Sequence, residues 1–307
     1  MRRAAFTLLE LIFVIVIMGI LAKFGIELLS QAYKSFIFSS VNNRLQSQSE
    51  AAVETIASRL QYRIKDSIIA RRTTDNSFVG LAGNTDPDIP ILEWVGTDID
   101  GFRGNTAVLP HWSGIIDLRD PNTDATTLVS PGTDTGALNT LIGVLSHGSG
   151  TGINNAAIYF VGSDSDIRTG YGWDTAVGAI TTQNEAMHPI RSNGVANQFV
   201  PVNGDTGADN NFNGVDVYEY YQLAWTAYAV GIDDYDDTTK TGTLKLWYDY
   251  QPWEGESYSD ENTKSAVIMD DVSTFQFRAT GSIIKIQVCV KSDLIEEYSL
   301  CKEKTVF

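Results

Sequence analysis

The chain has 307 residues, a formal net charge of −16 at pH 7 and 43 % apolar residues. The acids concentrate past residue 72: residues 73–307 hold 12 Lys or Arg against 33 Asp or Glu, whereas residues 6–72 hold 8 against 5. So acidic a body disfavours direct nucleic-acid binding, which depends on Lys and Arg neutralising phosphates, and otherwise serves solubility.

Arg2 and Arg3 lead through Ala4-Ala5 into an apolar stretch from Phe6 to Ile26. As a helix this stretch is about 31 Å long, enough to cross a bilayer core. One acid, Glu10, interrupts it. An ionised carboxylate at that depth costs about 2.5–3.5 kcal/mol and needs a partner. The only cation in the stretch, Lys23, is more than three turns away, so the partner is expected outside the chain, in an assembly. A secretory signal peptide would place a small-residue cleavage site after the apolar core, and none follows Gly19 to Ile26. A plain signal anchor would hold Arg2 and Arg3 inside and would leave Glu10 unexplained.

The run Ala5, Phe6-Thr7-Leu8-Leu9-Glu10-Leu11 and then Gly19-Ile20-Leu21-Ala22 resembles the class III prepilin leader of type IV pilins and type II secretion pseudopilins. The resemblance covers residues 1 to about 30. It implies a leader over 1–5, cleavage between Ala5 and Phe6 by prepilin peptidase, and N-methylation of Phe6. Residues 6–26 are then the membrane-spanning and assembly helix, with Glu10 paired to the terminal amine of a neighbouring pilin or pseudopilin subunit. The implied location is the bacterial inner membrane, single-pass with a periplasmic head, and a periplasmic or extracellular filament after assembly. Two positions depart from the family: Ala5 stands where Gly is usual before the cut, and Glu27 where many major pilins carry Pro. The second favours a minor pilin or pseudopilin.

Residues 27–72 read as an amphipathic continuation of the same helix, free of Pro and, beyond Gly25, of Gly. Val41, Leu45, Ala52, Ile56, Leu60, Ile64 and Ile68 recur at helical spacing and mark a core-facing stripe. Arg44, Glu50, Glu54, Arg59 and Arg63 are assigned to the opposite face. Thr73 to Asn76 ends the helix with turn-forming residues.

Residues 73–215 are loop-rich, a large variable insertion with short strands expected at Ile91–Val95, Gly114–Leu118, Leu141–Leu145, Ala156–Val161 and Gln198–Val202. Residues 216–307 carry alternating or aromatic runs at Val217–Val230, Thr243–Tyr250, Thr274–Ala279, Ile283–Val290 and Glu303–Phe307, an antiparallel meander of four or five strands. The fold class is therefore α+β: a long N-terminal helix packed on a C-terminal antiparallel sheet.

Three further features bear on chemistry. Cys289 and Cys301, twelve apart in an exported domain, favour a disulfide over two buried thiols, and many pilins close a C-terminal loop in this way. Asp209, Asn211, Asn213, Val215 through its carbonyl, and Asp216 or Glu219 form a calcium-loop pattern. It departs from the EF-hand at Tyr220, where a Glu is expected, and a plain Asn-Gly turn is the competing reading. Catalysis finds little support: His111, His147 and His188 sit apart in Gly- or Pro-rich surroundings, and His147-Gly148-Ser149-Gly150 lacks the strand–turn–helix setting of a nucleophile loop. The aromatic cluster from Tyr218 to Trp253 reads mainly as sheet core, with Trp247 to Trp253 able to reach a partner. The reading that follows is a non-enzymatic filament subunit. The alternative is a single-pass, membrane-anchored periplasmic binding domain, calcium-dependent or not, that never polymerises.

Overall fold

The computed structural model describes residues 7–86, 89–104, 108–163, 166–202, 211–295 and 298–307. Helix α1 (Leu8–Leu60) dominates it. Its 53 residues make a rod about 80 Å long at 1.5 Å per residue. The chain then forms strands β1 (Ile69–Arg71), β2 (Phe78–Gly80) and β3 (Ile91–Gly96). An excursion follows, with α2 (Ile99–Arg103), β4 (Leu128–Val129), α3 (Thr135–Leu145), β5 (Ala157–Phe160), β6 (Met187–Arg191), β7 (Gln198–Pro201) and β8 (Tyr221–Ala224). The chain returns through β9 (Thr226–Asp236), β10 (Thr241–Tyr248), β11 (Lys264–Thr280), β12 (Ile283–Lys291) and β13 (Ser299–Val306).

Two antiparallel sheets result. An eight-stranded sheet has the order β13-β12-β11-β10-β9-β3-β1-β2, and a five-stranded one β4-β7-β6-β5-β8. The α+β class and the C-terminal meander therefore stand, with β9 to β13 neighbouring one another in chain order. The excursion is a second small sheet hung between β3 and β9. Strands β2 and β3, which lie in the 73–215 segment, belong to the eight-stranded sheet, while β8 belongs to the smaller one.

Helix α1 ends earlier than its stripe predicts. All seven stripe residues are buried, but Ile64 and Ile68 reach the core from extended backbone. Ile64 N–H donates to Val95 O at 2.9 Å. Ser67 Oγ donates to Ile64 O at 2.7 Å and accepts from Val95 N at 3.0 Å. Pairing the β-branched run Ile68-Ile69 with the sheet outweighs three more turns of helix. Arg63 is displaced with it: expected on the solvent face, it is only 4 % exposed and donates to Leu60 O and Ser282 O.

Three other expectations change. Leu141–Leu145 is the last part of helix α3, not a strand. Asp134 caps it by accepting from Gly136 N and Ala137 N, and Leu138 and Ile142 bury one face. Gly114–Leu118 makes one bridge, Ile115 to Tyr220. The single run Val217–Val230 breaks at Trp225, where the chain passes from one sheet to the other and Gln251 Nε2 holds the Trp225 carbonyl at 2.8 Å.

The core has three parts. The stripe of α1 packs on β11, β12, β13 and β3 around Trp94, Phe275 and Ile286. A second cluster, with Trp173, Tyr250 and Trp253, joins the large sheet to the excursion, and a third fills the small sheet around Trp112, Phe160 and Phe199. Tyr250 and Trp253 are thus core residues rather than partner contacts. A buried ion pair sits against the second cluster: Arg71 Nε meets Glu93, which also accepts from Tyr250 Oη at 3.0 Å, while Arg71 donates to Trp173 O.

Candidate functional site

Among the described residues, nothing packs on the first half of α1. No residue from Leu8 to Ser40 is buried, and an 18-residue window within the helix reaches a mean hydropathy of 2.4 with none of it buried. A soluble protein does not leave so much contiguous apolar surface in water. This helix is long and apolar enough to cross a membrane.

Its start is organised around Thr7 and Glu10. Thr7 is the N-cap, in extended conformation, and its Oγ1 accepts from Glu10 N at 3.3 Å. The Glu10 carboxylate reaches back to accept from Thr7 N and Thr7 Oγ1, both at 3.0 Å. This is a capping box, which satisfies donors that every helix N-terminus leaves open. The Thr-x-x-Glu spacing in the sequence is the signature of such a box, and it gives Glu10 donors inside its own chain as well. Ala5 and Phe6 lie outside the described residues. At the other end of the apolar stretch Lys23 and Glu27 approach within 3.9 Å.

The second half of α1 is fastened to the sheet on both flanks. Ile56 and Leu60 are fully enclosed beneath it. Glu50 and Glu54 meet Lys302 and Lys304 of β13, and Arg44 lies 3.5 Å from Asp293. Tyr298 donates to Asn42 Oδ1 at 2.6 Å and its ring lies 5.2 Å from that of Phe38. Cys289 and Cys301, register partners on β12 and β13, form a disulfide. The edge strand that carries the lysine contacts to α1 is thereby linked covalently to its neighbour.

Asp209 lies outside the described residues. Asn211 Oδ1 accepts from Asn213 N at 2.8 Å, Gly214 takes φ 79° and Phe212 is buried. Val215 N donates to Phe212 O, and Glu219 O accepts from Ile116 N; Asp216 and Glu219 are exposed. Among the described residues no three His, Cys, Asp or Glu are grouped as a metal site. His188, expected in a loop, lies in β6, 3 % exposed against Phe160 and Phe212, and burial lowers its pKa to about 4. Ser149 bonds Thr151, and Thr151 Oγ1 donates to Asp249 Oδ1 at 2.8 Å.

These features define a class by construction alone: an acidic α+β head carried on a single helix that can span a membrane. No family model, curated protein or solved structure matches the chain.

Proposed function

We propose that this chain is a structural subunit of a type IV pilus or type II secretion pseudopilus, most akin to a minor pilin or pseudopilin. The observation that carries this reading is the division of α1. Its second half is clamped to the sheet, and its first half, with nothing buried before Val41, awaits lipid or other helices. In the bilayer, lipid covers the apolar half. After release from the membrane, equivalent helices of other subunits cover it, so one surface serves storage and assembly. Prepilin peptidase cuts between Ala5 and Phe6, and the new amine lies next to the Thr7 cap. The Glu10 carboxylate, already aimed toward that end of the helix, then pairs with the amine of a neighbouring subunit and sets the stagger between helices.

The head is a passenger in this scheme, displayed at the far end of the stem and facing the periplasm before assembly. Replacing Glu10 by Ala tests it. The variant is expected to be processed and to remain in the membrane, yet to be missing from fibres sheared from the cell or from pseudopili formed on overexpression. Normal incorporation of Glu10→Ala into fibres refutes the reading.

A further inference from the structure

Beyond the end of α1, where the helix meets the small sheet, lies an open groove of about 820 Å³, within the usual range for ligand pockets. Trp112, Tyr159 and Tyr221 form its buried floor, and Tyr62, Phe102 and Tyr220 its rim. Tyr220 is 59 % exposed and Phe102 43 %. The backbone that carries Tyr220 and the ring of Phe102 are both held. The backbone of Tyr220 is held on both sides, by Val161 N donating to Tyr220 O at 2.9 Å and by the bridge to Ile115. Phe102 stands 4.7 Å from Trp112, which is 5.5 Å from Tyr221, and Trp112 Nε1 donates to Asp98 at 3.1 Å. Arg103 lies over the Tyr62 ring and bonds its hydroxyl. The rings of Phe102 and Tyr62, held before binding, lower the entropic cost of association.

The polar groups narrow the ligand class. The amides of Gln61 and Gln222 and the hydroxyls of Ser113 and Ser163 line the groove. Two deeper lining residues carry buried polar atoms without a partner among the described residues, Thr97 Oγ1 and Arg63 Nε. Arg63 is 4 % exposed and its terminal nitrogens are already spent on backbone carbonyls. Lys65 and Asp66, adjacent in sequence, oppose one another in charge. An aromatic wall edged by amides, hydroxyls and one pair of opposite charges complements a ligand with apolar C–H faces and a hydroxyl-bearing perimeter. The acidic head as a whole repels anions.

We infer that this groove binds a short neutral oligosaccharide, whose sugar rings lie on Tyr220 and Phe102 and whose hydroxyls meet the Gln and Ser side chains. The inference does not depend on filament assembly, because the groove belongs to the head alone. The test is a titration of the full chain, held in micelles of a detergent without a sugar head group, with the glucose hexasaccharides of the cello and malto series and with chitohexaose. Tryptophan fluorescence and saturation-transfer NMR report binding. At least one of the three should bind saturably below roughly 10 mM, and Tyr220→Ala and Phe102→Ala should each weaken it about tenfold or more. Tyr235→Ala, on a distant hairpin, should leave it unchanged. Absence of saturable binding by all three sugars overturns the inference, as does binding insensitive to both groove variants. Saturable binding of the capped tripeptide Phe-Gly-Phe with no sugar binding overturns it in favour of a peptide groove.

Discussion

Glu10 accepts two hydrogen bonds from Thr7, one from its backbone N–H and one from its hydroxyl, both at 3.0 Å and both on Oε2. A carboxylate that is costly in hydrocarbon thus has donors within its own chain, and they turn it toward the N-terminal end of α1.

Thr7→Ala should remove the cap and weaken the helix start by about 1 kcal/mol, the usual cost of losing a Thr cap. Amide exchange of Leu8 to Glu10 in micelles should quicken several-fold, with the exchange of residues past Val41 unchanged. The same rates in both proteins would show that the capping box contributes nothing.

The division of α1 predicts opposite responses to the same kind of change. Leu60→Ala deletes a fully enclosed side chain and should destabilise the head by about 2–5 kcal/mol. Phe24→Ala alters a residue that is 64 % exposed and should leave the unfolding midpoint of the head in micelles unchanged. Equal losses in thermal unfolding would contradict the division.

How far the sequence reveals this molecule follows from which forces are local. The α1 stripe was legible because helical spacing and burial coincide from Val41 to Leu60. Its end was not, because Ile64 leaves the helix to pair with Val95, a partner distant in sequence. Strand β3 and the hairpin β11–β12 announce themselves by β-branched and aromatic runs. Helix α3 did not, although Asp134 and the Leu138–Ile142 spacing spelled a capped helix, because Gly136 and Gly143 lowered its apparent propensity. Glu10 stood out as a charge in an apolar run, whereas the Tyr220 groove is invisible before folding: its rings come from positions between 62 and 221, and only the topology gathers them.

The disulfide should act mainly on the unfolded chain. Cys289 and Cys301 face each other in register on adjacent strands, closing a short loop whose loss costs about 3 kcal/mol in the chain-entropy account. Urea unfolding of Cys289→Ser/Cys301→Ser against the oxidised protein should show a lower midpoint by that order. No shift would mean that pairing of β12 with β13 already imposes the constraint.

Two buried groups give opposite pH slopes. His188, with a folded pKa lowered to about 4 by burial, stays neutral where the unfolded chain takes up a proton, so its contribution is lost as pH falls from about 6.5 toward 4. Asp98, raised to about 6 by burial, stays protonated where the unfolded chain has ionised, so its contribution is lost as pH rises from about 4 through 6. Each amounts to about 3 kcal/mol at 1.36 kcal/mol per pKa unit. Relative to wild type, His188→Gln should shift stability toward pH 4.5 and Asp98→Asn toward pH 6.5. Parallel profiles for the two variants would contradict these protonation states.

The central claim is that the apolar stem is processed and then shared between subunits. The most direct measurement is the mass of the N-terminal peptide of the protein recovered from its native membrane. The account predicts a chain that begins at Phe6 and carries one added methyl group on its amine. A peptide that still begins at Met1, in cells whose other prepilins are processed, contradicts it and leaves a permanent membrane anchor in its place.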